Sequence, residues 1–167
     1  MGRYNTFWPR FWAGLLDALV FLPLGLIDSW MLDPVRPAAI LLSWAALSYS
    51  SFWVYSVVLH TRYGQTLGKM ATGAKVLDVN EQRLPNFRQA LLRDIGNVVV
   101  SCLAFLYLAQ LVLNGSYAKG AETSGTPPMI LGLAMMAWFL LEVVTMLMND
   151  KRRALHDFIA GTVVVKD

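Results

Sequence analysis

The 167-residue chain is 56% hydrophobic and only 15% charged, and its 14 lysines and arginines against 11 aspartates and glutamates leave a formal charge of +3. Soluble domains carry roughly 25% charged residues, so this chain lacks the polar surface needed to face water, and the composition excludes an ordinary soluble domain. The basic excess does not mark a nucleic-acid binder, because the charges stand at the ends of apolar runs instead of along an aromatic-interleaved stripe, and the single cysteine, Cys102, excludes an intramolecular disulfide or a cysteine-based metal cluster.

A hydrocarbon core about 30 Å thick takes ~20 apolar residues of helix at about 1.5 Å each. The first run of that length covers Phe11 to Ile27 and fades into Asp28-Ser29-Trp30, giving a predicted span over about 11–30 that contains Asp17 and Pro23. A signal peptide needs an unbroken apolar stretch and a small-residue cleavage site. Asp17 breaks this run and Asp28, Trp30 and Asp33 follow it, so it is kept as a span. The second span, about 38–60, has no charge between Ala38 and Leu59.

The following loop, 61–94, is long for a helix connection and patterned throughout. Gly64-Gln-Thr-Leu-Gly-Lys-Met-Ala-Thr-Gly73 predicts a short interfacial helix, and Ala74 to Val79 alternates as a strand. Asn80 to Arg83 reads as a turn and Leu84 as the start of a return arm, which makes a small hairpin. Pro85-Asn86 then has cap character ahead of a helix from Phe87 to Arg93. The third span, about 95–114, is uncharged but holds Asn97, Ser101 and Gln110, and the fourth, about 129–148, has one charge, Glu142. In the tail, 149–167, Ala154 to Ala160 predicts a short amphipathic helix ended by Gly161. Thr162 to Val165 is β-branched throughout and is expected to pair with Lys75 to Val79, because an open edge of that kind invites aggregation.

Twelve of the fourteen basic residues lie in the N-terminal tail, the 61–94 loop or the C-terminal tail, leaving only Arg36 and Lys119 in the other two connections. By the positive-inside rule both termini and the long loop are cytoplasmic. Trp8, Trp12, Trp30, Trp53 and Tyr63 fall near the predicted interfaces, whereas Trp44 and Trp138 do not. The expected fold is therefore an all-α membrane protein of four transmembrane helices, N-in and C-in, with a small cytoplasmic β-hairpin plus a C-terminal strand, built as one domain over 1–167.

Several short motifs carry little chemistry. Gly64-x-x-x-Gly68-Lys69 has one residue too few between its glycines for a phosphate-binding loop and lacks the hydroxyl after the lysine. Asn114-Gly-Ser116 matches a glycosylation acceptor over three residues only. His60 and His156 belong to no ligand-spaced pair, so no metal or other cofactor is expected, and no nucleophile–base pairing suggests an enzyme. The intramembrane carboxylates say more. A carboxylate at mid-helix costs roughly 2.5–3.5 kcal/mol on insertion scales, so Asp17 and Glu142 should face a partner, a cavity or a pathway. Arg10 stands seven residues before Asp17, on the same helix face but about 10 Å away along the axis. Asp17 is then either a proton carrier or a member of a structural ion pair near the inner interface.

With these residues in view, the chain resembles the RDD family of bacterial membrane proteins, named for an arginine and two aspartates. Arg10-Phe-Trp-Ala-Gly-Leu-Leu-Asp17 resembles the family's opening motif, Gly64-Gln-Thr-Leu-Gly-Lys69 with Lys75-Val-Leu-Asp78 its loop signature, and Leu155-His-Asp157-Phe-Ile-Ala-Gly-Thr-Val-Val165 its closing motif. The resemblance implies a bacterial inner membrane location and places the functional weight on Arg10, Asp17 and Asp157, with Lys69 and His156 as neighbours. Glu142 is added from its membrane depth alone. Some family members have been proposed to exchange sodium or other monovalent cations for protons, and many are described with about three spans where this chain reads as four. Two functions fit. One is a cation/proton exchanger, expected to be a homo-oligomer because four short spans enclose little volume, with Asp17 and Glu142 as carriers and an Arg10–Asp157 ion pair as a gate. The other is a structural or accessory protein whose loop and tail dock a partner or anionic lipid.

Overall fold

The computed structural model describes residues 2–117 and 129–166, and in the last long helix the side chains from Gly132 onward. Three described helices are long and apolar enough to cross a membrane, α1 (Phe7–Met31), α2 (Ala38–Tyr63) and α5 (Ile95–Leu113). The fourth predicted run forms α6 (Met129–Leu147), whose described apolar part is Gly132–Leu147. Membrane-crossing helices imply a lipid bilayer, and their surfaces agree: Leu15, Leu19, Leu106, Phe139 and Leu140 are all at least 48% exposed on the isolated chain, as lipid-facing residues should be. Part of the second predicted outer connection, including Lys119, lies outside the described residues.

Pro9 is tolerated in the first turn of α1, where backbone N–H groups have no intrahelical partner. Helix α2 ends where Gly64 takes a left-handed φ of 71°, and a Cβ there would lie 2.7 Å from the Val76 carbonyl oxygen. The two tryptophans off the aromatic belts have a separate explanation. Trp44 Nε1 donates to Asp28 at 2.7 Å, joined by Ser48 Oγ at 2.8 Å, which fastens α2 to α1. Trp138 Nε1 donates to Glu142 at 2.8 Å within α6. Each indole N–H meets a carboxylate set in an apolar helix.

The densest packing lies at the end of the helices that carries both termini. There, α3 (Leu67–Thr72) lies against α1, while α4 (Phe87–Arg93) leads through Asp94 into α5 and α7 (Leu155–Ala160) packs on α4. Helix α4 starts with a capping box, in which Asn86 Oδ1 accepts from the Gln89 N–H at 2.9 Å and the Gln89 side chain accepts from the Asn86 N–H at 3.1 Å. Helix α7 ends at Gly161, with φ 64°.

Strands β1 (Ala74–Asp78) and β2 (Thr162–Lys166) pair antiparallel, from Ala74 opposite Lys166 to Asp78 opposite Thr162. Val76, Val163, Val164 and Val165 are buried, and Ala74, Val76 and Val164 form one apolar cluster. The predicted hairpin return arm does not form a strand. The outer edge of β1 is filled instead by single contacts, the Val76 N–H to the Gly64 carbonyl at 2.8 Å and the Asp78 N–H to the Arg83 carbonyl at 3.0 Å. Pro85, with no N–H to offer, follows two residues later. The Asp78 carboxylate closes the turn by accepting from the Asn80 N–H and from Arg83 Nε, both at 2.9 Å. The outer edge of β2 meets the N-terminal segment, where the Lys166 N–H donates to the Arg3 carbonyl at 2.9 Å.

Candidate functional site

Asp17 is 5% exposed and accepts three hydrogen bonds: from Thr66 Oγ1 at 2.6 Å, from the Gly68 N–H at 2.8 Å and from Tyr55 Oη at 2.8 Å. All three donors are neutral, and they come from α2 and from the start of α3. Thr66 is also the N-cap of α3, so the carboxylate sits against a helix N-terminus that favours negative charge. The Gly64–Lys69 motif acquires a physical reason here. A Cβ on Gly68 would lie 2.1 Å from the Ala13 carbonyl oxygen and 2.9 Å from Asp17 Cγ, so only glycine lets α3 approach α1 closely enough to reach the carboxylate.

Asp157 is completely buried and joins four elements. Arg10 Nη1 from α1 donates to Oδ2 at 2.6 Å, and Arg93 Nη1 from α4 donates to Oδ1. The Ala154 N–H adds 3.0 Å to Oδ2, and Thr162 Oγ1 on β2 adds 3.3 Å to Oδ1. Burial opposes ionisation, but the Arg10 and Arg93 guanidiniums outweigh it and hold the Asp157 carboxyl well below the ordinary carboxylate range. Arg10 also donates to the Arg152 carbonyl at 3.1 Å and to Thr6 Oγ1 at 3.2 Å. It thus pairs with the distant aspartate in the tail and not with Asp17 on its own helix.

Above this clamp lies a cavity of about 730 Å³ among α1, α2, α5 and α6. The cavity is partly open to the surroundings of the chain. Its lining includes Asp17 and Glu142, the two carboxylates singled out by membrane depth, together with Arg10, Lys69 and His156. Two hydrogen-bonded chains of titratable groups run along it. In the first, Lys69 Nζ lies 2.6 Å from His60 Nε2, His60 Nδ1 lies 3.0 Å from Ser56 Oγ, and Ser56 donates to Asp94 at 2.7 Å. With Lys69 protonated and donating, His60 is neutral with its proton on Nδ1, which completes the line of donors toward Asp94. Burial, reinforced by the Arg93 guanidinium, brings the Lys69 ammonium down to about 7. In the second chain, Glu142 accepts from His156 Nδ1 at 2.6 Å, and His156 Nε2 lies 3.5 Å from Asp157.

Of the six residues chosen from the sequence, Arg10, Asp157, His156 and Glu142 therefore form one connected line. Asp17 and Lys69 lie on other parts of the same cavity wall. Sequence reasoning did not single out Arg93, Asp94, His60, Ser56 or Tyr55 as site residues. Arg93-Asp94 at the mouth of the third span, and a histidine one turn before the second span ends, were the available signals.

The family model described as RDD family matches residues 4–161, which takes in both ends of the clamp and every element between them. The chain belongs to the RDD family. Among its relatives is the uncharacterized membrane protein YteJ of Bacillus subtilis (strain 168), 33% identical over 112 residues, which are 63% of this chain and 68% of that protein. No solved structure matches the chain. In this RDD protein the arginine and the two aspartates of the matched motifs divide into two separate arrangements, the Arg10–Asp157–Arg93 clamp and the Asp17 anchor. They do not make one joint site.

Proposed function

We propose that this RDD protein exchanges a monovalent cation for protons across the bacterial cytoplasmic membrane, crossing it four times with both termini inside. The four-span topology rests on the length of the fourth apolar run and on the side to which the basic residues fall. The observation that carries the exchange reading is the cavity. Glu142, within the largely apolar α6, and Asp94, at the N-terminal cap of α5, stand on its wall; Glu142 is hydrogen-bonded to His156, and Asp94 is joined through Ser56 to His60 and Lys69.

The roles differ from those the motifs alone suggest. Asp17 and Asp157 have fixed donors on both carboxylate oxygens, and giving those up would dismantle the packing of α3 and α7. They act as structural anchors, which is the part of the accessory-protein reading that this geometry favours. Glu142, Asp94 and the Lys69–His60 pair carry the exchange. The protein is reconstituted in liposomes with a trapped pH-sensitive dye, and sodium, lithium or potassium is added. Proton movement in the wild type that is lost in Glu142→Gln and Asp94→Asn supports the reading. A folded wild type that moves no protons against any monovalent cation refutes it.

A further inference from the structure

The cavity is much larger than a bare ion requires, and its walls differ from end to end. At the end near the sheet it is lined by charged and titratable groups. Along the helices it is lined by Phe11 of α1, Phe52 of α2, Leu103 of α5, and Met135 and Phe139 of α6. A hard alkali cation is held by a converging set of oxygens. Here three of the four oxygens of the two carboxylates already serve other partners: Glu142 Oε1 accepts from both Trp138 and His156, Asp94 Oδ2 accepts from Ser56, and Asp94 Oδ1 accepts from Asn97 Nδ2 at 3.1 Å. Its volume falls in the range of about 300–1,000 Å³ typical of small-molecule sites. Phenyl and indole faces supply a favourable surface for a delocalised or alkylated cation.

The charge of the lining depends on one proton. The charged groups on the cavity wall are three carboxylates (Asp17, Asp94 and Glu142) and three basic side chains (Arg10, Lys69 and Arg93), with two imidazoles (His60 and His156) beside them; behind the wall, Asp157 is matched by the Arg153 guanidinium that donates to its carbonyl. With both imidazoles neutral the wall is balanced, and it carries one net negative charge when Lys69 gives up its proton. We propose that the cavity binds a hydrophobic organic cation, its charge drawn to the Glu142 and Asp94 end and its apolar body among Phe11, Phe52, Leu103, Met135 and Phe139. This inference rests on the exchange reading and names its substrate class. A proton leaving Lys69 strengthens the hold on the cation without either occupying the other's atoms, and linkage makes the effect reciprocal. Protonating His60 or His156 acts in the same direction as protonating Lys69.

The test uses the purified full chain in detergent with tetraphenylphosphonium as probe, followed by calorimetry and by tryptophan quenching. The proposal expects saturable binding, about tenfold or more tighter at about pH 8.5 than at about pH 6, since one added charge at this range is worth that much. Glu142→Gln and Phe139→Ala should each weaken it by about tenfold, and neutral triphenylphosphine oxide should not compete. If Glu142→Gln fails to fold, Asp94→Asn and the pH dependence carry the same test. Non-saturable uptake, or equal binding by the folded variants, overturns the proposal. Sodium-driven proton movement in liposomes with no tetraphenylphosphonium binding overturns it while leaving the exchange reading intact. Saturable, pH-dependent binding with no proton movement for any cation upholds the site and removes the exchange reading.

Discussion

Replacing Asp157 with asparagine keeps the size of the side chain and removes its charge. Arg10 and Arg93 would then face a neutral amide, and the amide's own N–H₂ group would point a donor at one of the two guanidiniums. Breaking a buried ion pair by removing one partner costs about 3–5 kcal/mol, because the remaining charge is left buried and uncompensated. Asp157 is fully buried and its two partners are 12% and 5% exposed at their side chains, so the full range applies. The first structure to loosen is the one the carboxylate holds, namely α7 and the β2 strand with Val163, Val164 and Val165. At about 1.4 kcal/mol per factor of ten, local protection of those amides against hydrogen exchange should fall by about two to three and a half orders of magnitude, with the amides of α5 much less affected. Replacing all three charges together by Arg10→Met, Arg93→Met and Asp157→Leu should recover most of the loss, since an apolar group of similar volume needs no compensation. Protection in Asp157→Asn within about tenfold of wild type would refute the clamp as the element that holds the tail. The pH dependence has a definite sign as well. The folded carboxyl is depressed, so its contribution is complete above the ordinary carboxylate range and is lost only as pH falls through the much lower folded value. The tail should therefore stay protected at about pH 5.

Gly68→Ala should destabilise the protein by about 3 kcal/mol or more, because its Cβ would meet backbone at Ala13 and not a movable side-chain tip; thermal unfolding in detergent reads this directly. Tyr55→Phe removes one donor from Asp17 and leaves the Leu67 N–H, now 2.9 Å from the phenol oxygen, without that partner, a loss of about 1–3 kcal/mol in the same assay. Lys69 should titrate near 7 when the lysines are carbon-13 methylated and followed by nuclear magnetic resonance, with the exposed Lys151 remaining charged well above that pH. Since its folded value lies below the unfolded one, the unfolded chain binds the extra proton between about 7 and the ordinary lysine range, and stability should rise with pH across that window.

The helical spans and the tail strand were legible from the sequence for a simple reason: each is specified by its own residues. Apolar length defines α1, α2 and α5, and the run Thr162 to Val165 has a single nearby complement in Lys75 to Val79, which is where it pairs. The hairpin was misread because alternation and turn residues cannot show how far a return arm continues. Arg83 delivers one carbonyl to β1, and Pro85 then ends the possibility of a ladder. The site was legible only where depth or motif marked it. Asp17 and Glu142 stand out as charges in apolar surroundings, whereas Asp94 reads as an ordinary flanking acid until Ser56, 38 residues earlier, is found donating to it. Arg93 reads as one more inside-facing cation, yet its partner Asp157 is 64 residues away. Sequence spacing cannot express either pairing.

The proposed division between anchors and carriers rests on what each carboxylate would lose on changing its partner. Asp17 would release the start of α3, and with it Thr66, Gly68 and the approach of α3 to α1. Asp157 would release the Arg10 and Arg93 guanidiniums, whose side chains are only 12% and 5% exposed. Neither change is compatible with repeated turnover of a folded protein. Glu142 holds α6 only to the imidazole of His156 and to an indole on its own helix, and Asp94 is reached through a hydroxyl that can reorient. Lys69 completes the contrast, since its ammonium is held near neutrality by burial and has an imidazole at hydrogen-bond distance to receive its proton. In the proposed reading Arg10, Asp17 and Asp157 of the matched motifs build the frame, while Lys69 and His156 of the same motifs lie within hydrogen-bond distance of His60 and Glu142, with which they would move protons.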